Sequence, residues 1–119
     1  RLPSPIAAKT AFSCCGAAGF LTELRAPGRG QVVLVGMEAH VCVAQTAFDL
    51  LEAGFEVFVP ADAVASRSAF DHEVALRRLD RAGATVTTAE AVAFEWVGDA
   101  AHPQFKAVSK LVIARSEAG

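Results

Sequence analysis

Gln31-Val32-Val33-Leu34-Val35-Gly36 is an unbroken apolar run rich in β-branched residues, and Met37-Glu38-Ala39-His40-Val41-Cys42 follows it directly. With no alternation of apolar and polar positions, the run reads as a strand buried on both faces, the habit of parallel sheets. Over residues 39–53, Val41, Ala44, Phe48 and Leu51 recur at helical spacing, and Gly54 supplies a stop. Phe55-Glu56-Val57-Phe58-Val59-Pro60 is the next strand, and residues 62–67 read as a loop. Ser68 caps a helix with Asp71 in its first turn, Val74, Ala75, Leu79 and Ala82 on its apolar face and Gly83 at its end. Thr85-Val86-Thr87-Thr88 is a third strand, residues 89–97 a helix, and a last helix runs from Pro103 to about residue 114. Upstream, Phe20, Leu21 and Leu24 suggest a helix over residues 15–25, ended by Pro27-Gly28. Strands alternating with helices mean βαβ units, so the chain is expected to be a single α/β domain, residues 1–119, with a mostly parallel sheet.

Composition agrees with a packed domain. The 119 residues are 53% hydrophobic and 20% charged, with no internal repeat or low-complexity stretch. Lys and Arg number 11 against 13 Asp and Glu, a net charge of -2, and the basic residues are scattered, so no nucleic-acid partner is expected. No apolar run approaches the ~20 residues of a membrane span, so no membrane partner is expected either. Three cysteines, two of them adjacent, argue against a disulfide framework and for a reducing, cytoplasmic setting. The opening Arg1 and the loop-like Leu2-Pro3-Ser4-Pro5 suggest a piece whose upstream part is missing.

Ligands of such sheets bind where strands run into helices. That rule picks out residues 36–42, 60–68 and 87–90. No phosphate-cradling glycine motif follows any strand, and His40, His72 and His102 have no ligand-spaced partners at these ends, so neither cofactor nor metal is expected. Cys42 falls in the first turn after the central strand. Unpaired N–H groups and the helix dipole favour a thiolate there, and the same N–H groups can hold the oxygen of a tetrahedral intermediate. Position alone favours the plainer reading of Cys42 as a small buried hydrophobe.

The stretch Val33-Leu34-Val35-Gly36-Met37-Glu38-Ala39-His40-Val41-Cys42-Val43, with Thr46-Ala47-Phe48-Asp49 and Gly54, resembles the nucleophile segment of the isochorismatase-like cysteine hydrolases. Ala8-Lys9-Thr10-Ala11-Phe12-Ser13 resembles the family's lysine motif. Residues 62–68, Gly83-Ala84, Thr88-Ala89-Glu90 and the closing Val97-Gly98-Asp99-Ala100-Ala101-His102-Pro103-Gln104-Phe105-Lys106 follow in family order, most like the isochorismatase domain-containing branch. The resemblance implies a three-layer α/β/α sandwich, here without its N-terminal strand. It maps the nucleophile to Cys42 and the lysine to Lys9, and it implies an Asp upstream that this chain lacks. It also implies a cis Met37–Glu38 peptide, oxyanion donors at the backbone of Glu38 and Cys42, and pocket lining by Phe12, Ala39 and His40. Asp62 matches another family position and is expected to brace its loop, as His102 is expected to cap a helix. The implied activity is hydrolysis of a small amide-like or related substrate by a homo-oligomer. Ala39 and His40 stand where many family amidohydrolases carry Thr and Asp, so substrate does not transfer with the fold. The competing expectation is an inactive member that keeps only the oligomeric scaffold.

Overall fold

Parallel pairing organises the chain. The computed structural model describes residues 9–118, so the loop reading of residues 2–5 lies outside it. In order, the elements are α1 (Phe20–Arg25), β1 (Gln31–Val33), β2 (Gly36–Met37), α2 (Ala44–Glu52), β3 (Glu56–Pro60), β4 (Val64–Ala65), α3 (Ala69–Ala82), β5 (Thr85–Thr87), α4 (Ala89–Val97) and α5 (Phe105–Ala118). A 3-10 turn at Cys14–Gly16 precedes α1, and a π-helical turn at Ala39–Val43 leads into α2.

The main sheet has the order β1-β3-β5, all parallel, with Val32 opposite Val57 and Val59 opposite Val86. Each crossover carries one helix, α2 between β1 and β3 and α3 between β3 and β5. Alternation along β3 sends Val57 and Val59, both essentially inaccessible, into one face. They join Val43, Ala44, Ala47 and Leu50 from the α2 side and Ala75 and Leu79 from α3 in one apolar cluster. The opposite face presents Gln31, Val33, Glu56 and Phe58, and Val92 and Trp96 of α4 complete a groove of about 770 Å³ over it. Helices therefore lie on both faces of the sheet.

The structure departs from the sequence reading in four places. The run over 31–36 is not one strand: after β1 the chain bends through Gly36, at φ 114°, and β2 pairs with β4 instead of β3. A side chain at that φ would clash with its own backbone, so glycine permits the bend. The loop over 62–67 accordingly contains β4. The helix over 15–25 is cut to its second half because Gly19 stands at φ 78°, outside the helical region. The helix over 39–53 opens with the π turn.

Helix ends obey their caps. Ser68 Oγ accepts the Asp71 N–H and Gly83, at φ 107°, closes α3. Thr88 Oγ1 accepts the Ala91 N–H at 3.1 Å. Asp62 Oδ1 accepts the Ala89 N–H at 2.8 Å, which braces its loop against the start of α4. His102 Nδ1 accepts the Gln104 N–H at 3.0 Å ahead of α5.

Candidate active site around Cys42

Pairing of β2 with β4 carries the chain past the end of the main sheet and turns it at Met37–Glu38, a cis peptide. The next residues wind into the π turn that holds Cys42, whose residue is half-buried. Within that turn the Glu38 carbonyl accepts the N–H groups of both Val41 and Val43. Ala39 is fully buried under it. Cys42 thus sits where a strand end becomes a helix start, the sheet edge at which α/β proteins bind ligands.

On one flank of the turn lies the lysine segment. Lys9 Nζ donates to the carbonyls of Ala11 and Phe12 at 2.8 and 2.9 Å. Ser13 Oγ accepts the Cys15 N–H, and the Cys14 N–H donates to Thr46 Oγ1 at 2.9 Å. Thr46 is four residues beyond Cys42, one turn along the same helix face. The segment that bears Lys9 is therefore docked on the helix that follows Cys42. Lys9 also lines a cavity of about 370 Å³ with Cys14, Ala17, Ala18, Phe20, Glu23 and Leu24; Cys42 is not among these lining residues. Phe12 is largely exposed. Burial pushes the Cys15 thiol up from its ordinary value; the Ser13 hydrogen bond opposes that, and the charges of Asp49 and Cys14 reinforce it.

On the other flank, residues 66–71 grip the turn. Glu38 Oε1 accepts the Arg67 backbone N–H at 2.8 Å, and Oε2 accepts Arg67 Nε at 3.1 Å. The backbone N–H donation from Arg67, with its guanidinium charge second, holds the Glu38 carboxyl below the usual glutamate range despite partial burial. His40 Nδ1 lies 2.8 Å from Ser66 Oγ, and its Nε2 lies 3.7 Å from Asp71 Oδ2. His40 therefore faces the loop and α3. Sequence reasoning named Glu38 only for its backbone, and it missed Arg67, Ser66, Asp71 and Thr46 as partners of the turn. Among the described residues, no group of three or more His, Cys, Asp or Glu side chains is arranged to hold a metal.

The isochorismatase domain model matches residues 2–91. The chain belongs to the isochorismatase domain family. It is 47% identical over 108 residues to isochorismatase domain-containing protein 1 of Salmo salar, covering 89% of this chain and 38% of that protein. It is 44% identical over 86 residues to a secreted isochorismatase effector of Phytophthora sojae, covering 72% of this chain and 41% of the relative. Among solved structures, it is similar to the MAR1 ribonuclease of Caenorhabditis elegans at a TM-score of 0.77 and 47% identity, covering 88% of this chain and 53% of that one. A nicotinamidase of Staphylococcus aureus matches at a TM-score of 0.64 and 33% identity, over 67% of this chain and 50% of that enzyme. The chain therefore spans about half, or less, of the proteins it matches. The isochorismatase-like α/β fold follows from these likenesses, with the parallel sheet already described.

Proposed function

We propose that this chain is the nucleophile-bearing part of a cysteine-dependent hydrolase acting on a small amide-like or related molecule. The supporting observation is the docking of the Lys9 segment on the helix that follows Cys42, through the Cys14 N–H and Thr46 Oγ1. In this reading the Cys42 sulfur attacks the carbonyl carbon and the amine leaves, giving a thioester that water then cleaves. The N–H groups of Glu38 and Cys42 hold the oxyanion. A carboxylate from outside residues 1–119, the family's Asp, moves the proton from thiol to leaving amine, and Lys9 keeps that carboxylate charged. Similarity to a nicotinamidase supports the amide class. No cofactor enters this scheme.

Alkylation followed by peptide mass spectrometry tests it. Residues 1–119 alone should be modified at Cys42 by iodoacetamide yet turn over amides very poorly, since general acid–base help is typically worth ~10²–10⁴-fold. In a gene product that also carries the Asp, Cys42→Ala should remove turnover. Turnover that survives Cys42→Ala would end the reading.

A second reading, RNA cleavage, is favoured by the 47% identity to a ribonuclease structure. The net charge of -2 supplies no broad phosphate-binding surface, which favours the small-molecule reading. Cleavage of a labelled RNA that persists in Cys42→Ala would reverse that order. We also propose a cytoplasmic, homo-oligomeric protein, on the odd cysteine count and on the position of β1 at an edge of the main sheet. Among the described residues no helix is long and apolar enough to cross a membrane, and light scattering on purified protein decides the oligomer.

A further inference from the structure

We propose that Thr46 is a positioning residue: its buried hydroxyl fixes the lysine-bearing segment on the Cys42 helix and so sets Lys9 relative to the nucleophile. This rests on the hydrolase reading above. Thr46 is 2% exposed, a hydroxyl surrounded by the α2 core, and such a group is retained only where its hydrogen bonding is satisfied. What satisfies it is the Cys14 N–H, 32 residues away in sequence. A Val of nearly the same shape would fill the space, lose the hydroxyl as both donor and acceptor, and leave the Cys14 N–H without this partner.

The segment that Thr46 holds behaves as one block. Lys9 is clipped to the Ala11 and Phe12 carbonyls, Ser13 Oγ to the Cys15 N–H, and the Gly16 N–H to the Ser13 carbonyl at 3.1 Å. Gly16 packs so closely on Ala11 that a Cβ there would collide with the Ala11 methyl. All of these ties are local, within five residues. The Cys14–Thr46 hydrogen bond is the long-range polar tie of the block among the described residues. It lands one turn past Cys42, and because side chains lean toward a helix's N-terminus, the Thr46 hydroxyl leans back toward the Cys42 turn. Cys15 also packs against the core cluster, so this hydrogen bond fixes the register of a block that apolar contact already presses on the Cys42 helix.

The tie can be cut from either end. Thr46→Val removes the acceptor and Thr46→Ser keeps it. Cys14→Pro removes the donor: Ser13 is already at φ -68°, ψ 136°, a conformation that a following proline accepts, and Cys14 is the first residue of its turn. The readout is the second-order rate of Cys42 alkylation by iodoacetamide, measured on residues 1–119 in a double-mutant cycle with Lys9→Ala. Lys9→Ala should slow alkylation by up to about fivefold in wild type and in Thr46→Ser, the factor a unit charge ~4 Å away is worth in water. The same substitution should do nothing further in Thr46→Val or Cys14→Pro, each of which should already be slow. A Lys9 effect that persists undiminished in both cut variants would overturn the positioning role while leaving the hydrolase reading intact. A Lys9→Ala change that alters no rate in any background would also overturn the positioning role, since the thiol would then sense nothing that Thr46 sets; the hydrolase reading is decided separately by Cys42→Ala. Should Thr46→Val fail to fold, Cys14→Pro carries the same comparison with the α2 core untouched.

Discussion

The two flanks of the Cys42 turn are held by different chemistry. Toward the lysine segment, the tie is a neutral hydrogen bond between a backbone N–H and the buried Thr46 hydroxyl. Toward residues 66–71, it is a set of ionisable groups: Glu38 on Arg67, and His40 between Ser66 and Asp71. The first is shielded from water. The second is solvent-accessible, with the Arg67 side chain 86% exposed. Of the ties that hold the Cys42 turn, the Cys14–Thr46 bond is thus indifferent to pH and salt, while the Glu38–Arg67 pair responds to both, because an exposed charge pair is screened by salt and is lost when its carboxylate is protonated.

Breaking what the flanks share gives the largest effect. Leu50 is fully buried on α2, one turn beyond Thr46. Leu50→Ala should cost ~2–5 kcal/mol, the range for a buried leucine that leaves a cavity. Urea unfolding measures the loss, and hydrogen exchange should speed up on both flanks together. Faster exchange on one flank alone would show that the flanks do not share α2 as their support.

Loosening one flank is smaller. Ser68 caps α3, whose first turn presents Asp71 to His40. Ser68→Ala should cost ~1 kcal/mol, as lost N-caps do. Amides at the start of α3 should exchange faster, with those at Cys14–Gly16 unchanged. Equal acceleration at Cys14–Gly16 would mean that the flanks are coupled through the turn and the contrast between them is only chemical.

The fold was far more legible in the sequence than the turn's supports were. Ser68 and Gly83 mark helix ends by chemistry that acts within a few residues, and the apolar runs around Val33 and Val57 mark strands in the same local way, whereas Thr88, read as a strand residue, caps α4 instead. Asp62 and His102 acted as the braces their positions suggested. The Cys14–Thr46 and Glu38–Arg67 ties join residues 32 and 29 apart, and no periodicity encodes such pairs. The switch of β2 onto β4 hid in the same way, since an apolar run does not say which neighbour it will pair with. Gly16 and Gly19 were local hints that the helix over 15–25 would break, as Gly36 was for the strand over 31–36. Cys42 was picked out by its place at the strand-to-helix turn and given a role by the family resemblance, whereas Lys9 was legible only through that resemblance.

Reactivity sharpens the contrast on the neutral flank. The Cys15 thiol, raised chiefly by burial, stays protonated at pH 7, and only the thiolate attacks an alkylating agent. Cys15 should therefore be alkylated more slowly than Cys42, and peptide mass spectrometry at short times reads the order. If Cys15 were labelled first, the segment would be open to solvent and could not serve as a fixed block.

The smallest effect separates the flanks by pH. Glu38 has its folded value lowered, first by the Arg67 backbone N–H and then by the Arg67 charge, so the folded state favours its ionised form. A group of this kind adds stability that is fully present above its unfolded value, ~4.3 for glutamate, and that disappears as pH falls through the lower folded value. The gain is modest because the pair is exposed to solvent and screened. Thermal melts of wild type and Glu38→Gln should differ most near neutral pH and converge as the solution is acidified below that window. Added salt at neutral pH should narrow the same gap, since it screens the Arg67 charge. Thr46→Val should instead show an offset from wild type that stays the same in acid and in salt, because neither the hydroxyl nor the Cys14 N–H titrates there. Parallel curves for Glu38→Gln and wild type across the acid range would remove the electrostatic account of that flank and leave shape alone to explain how the turn is held.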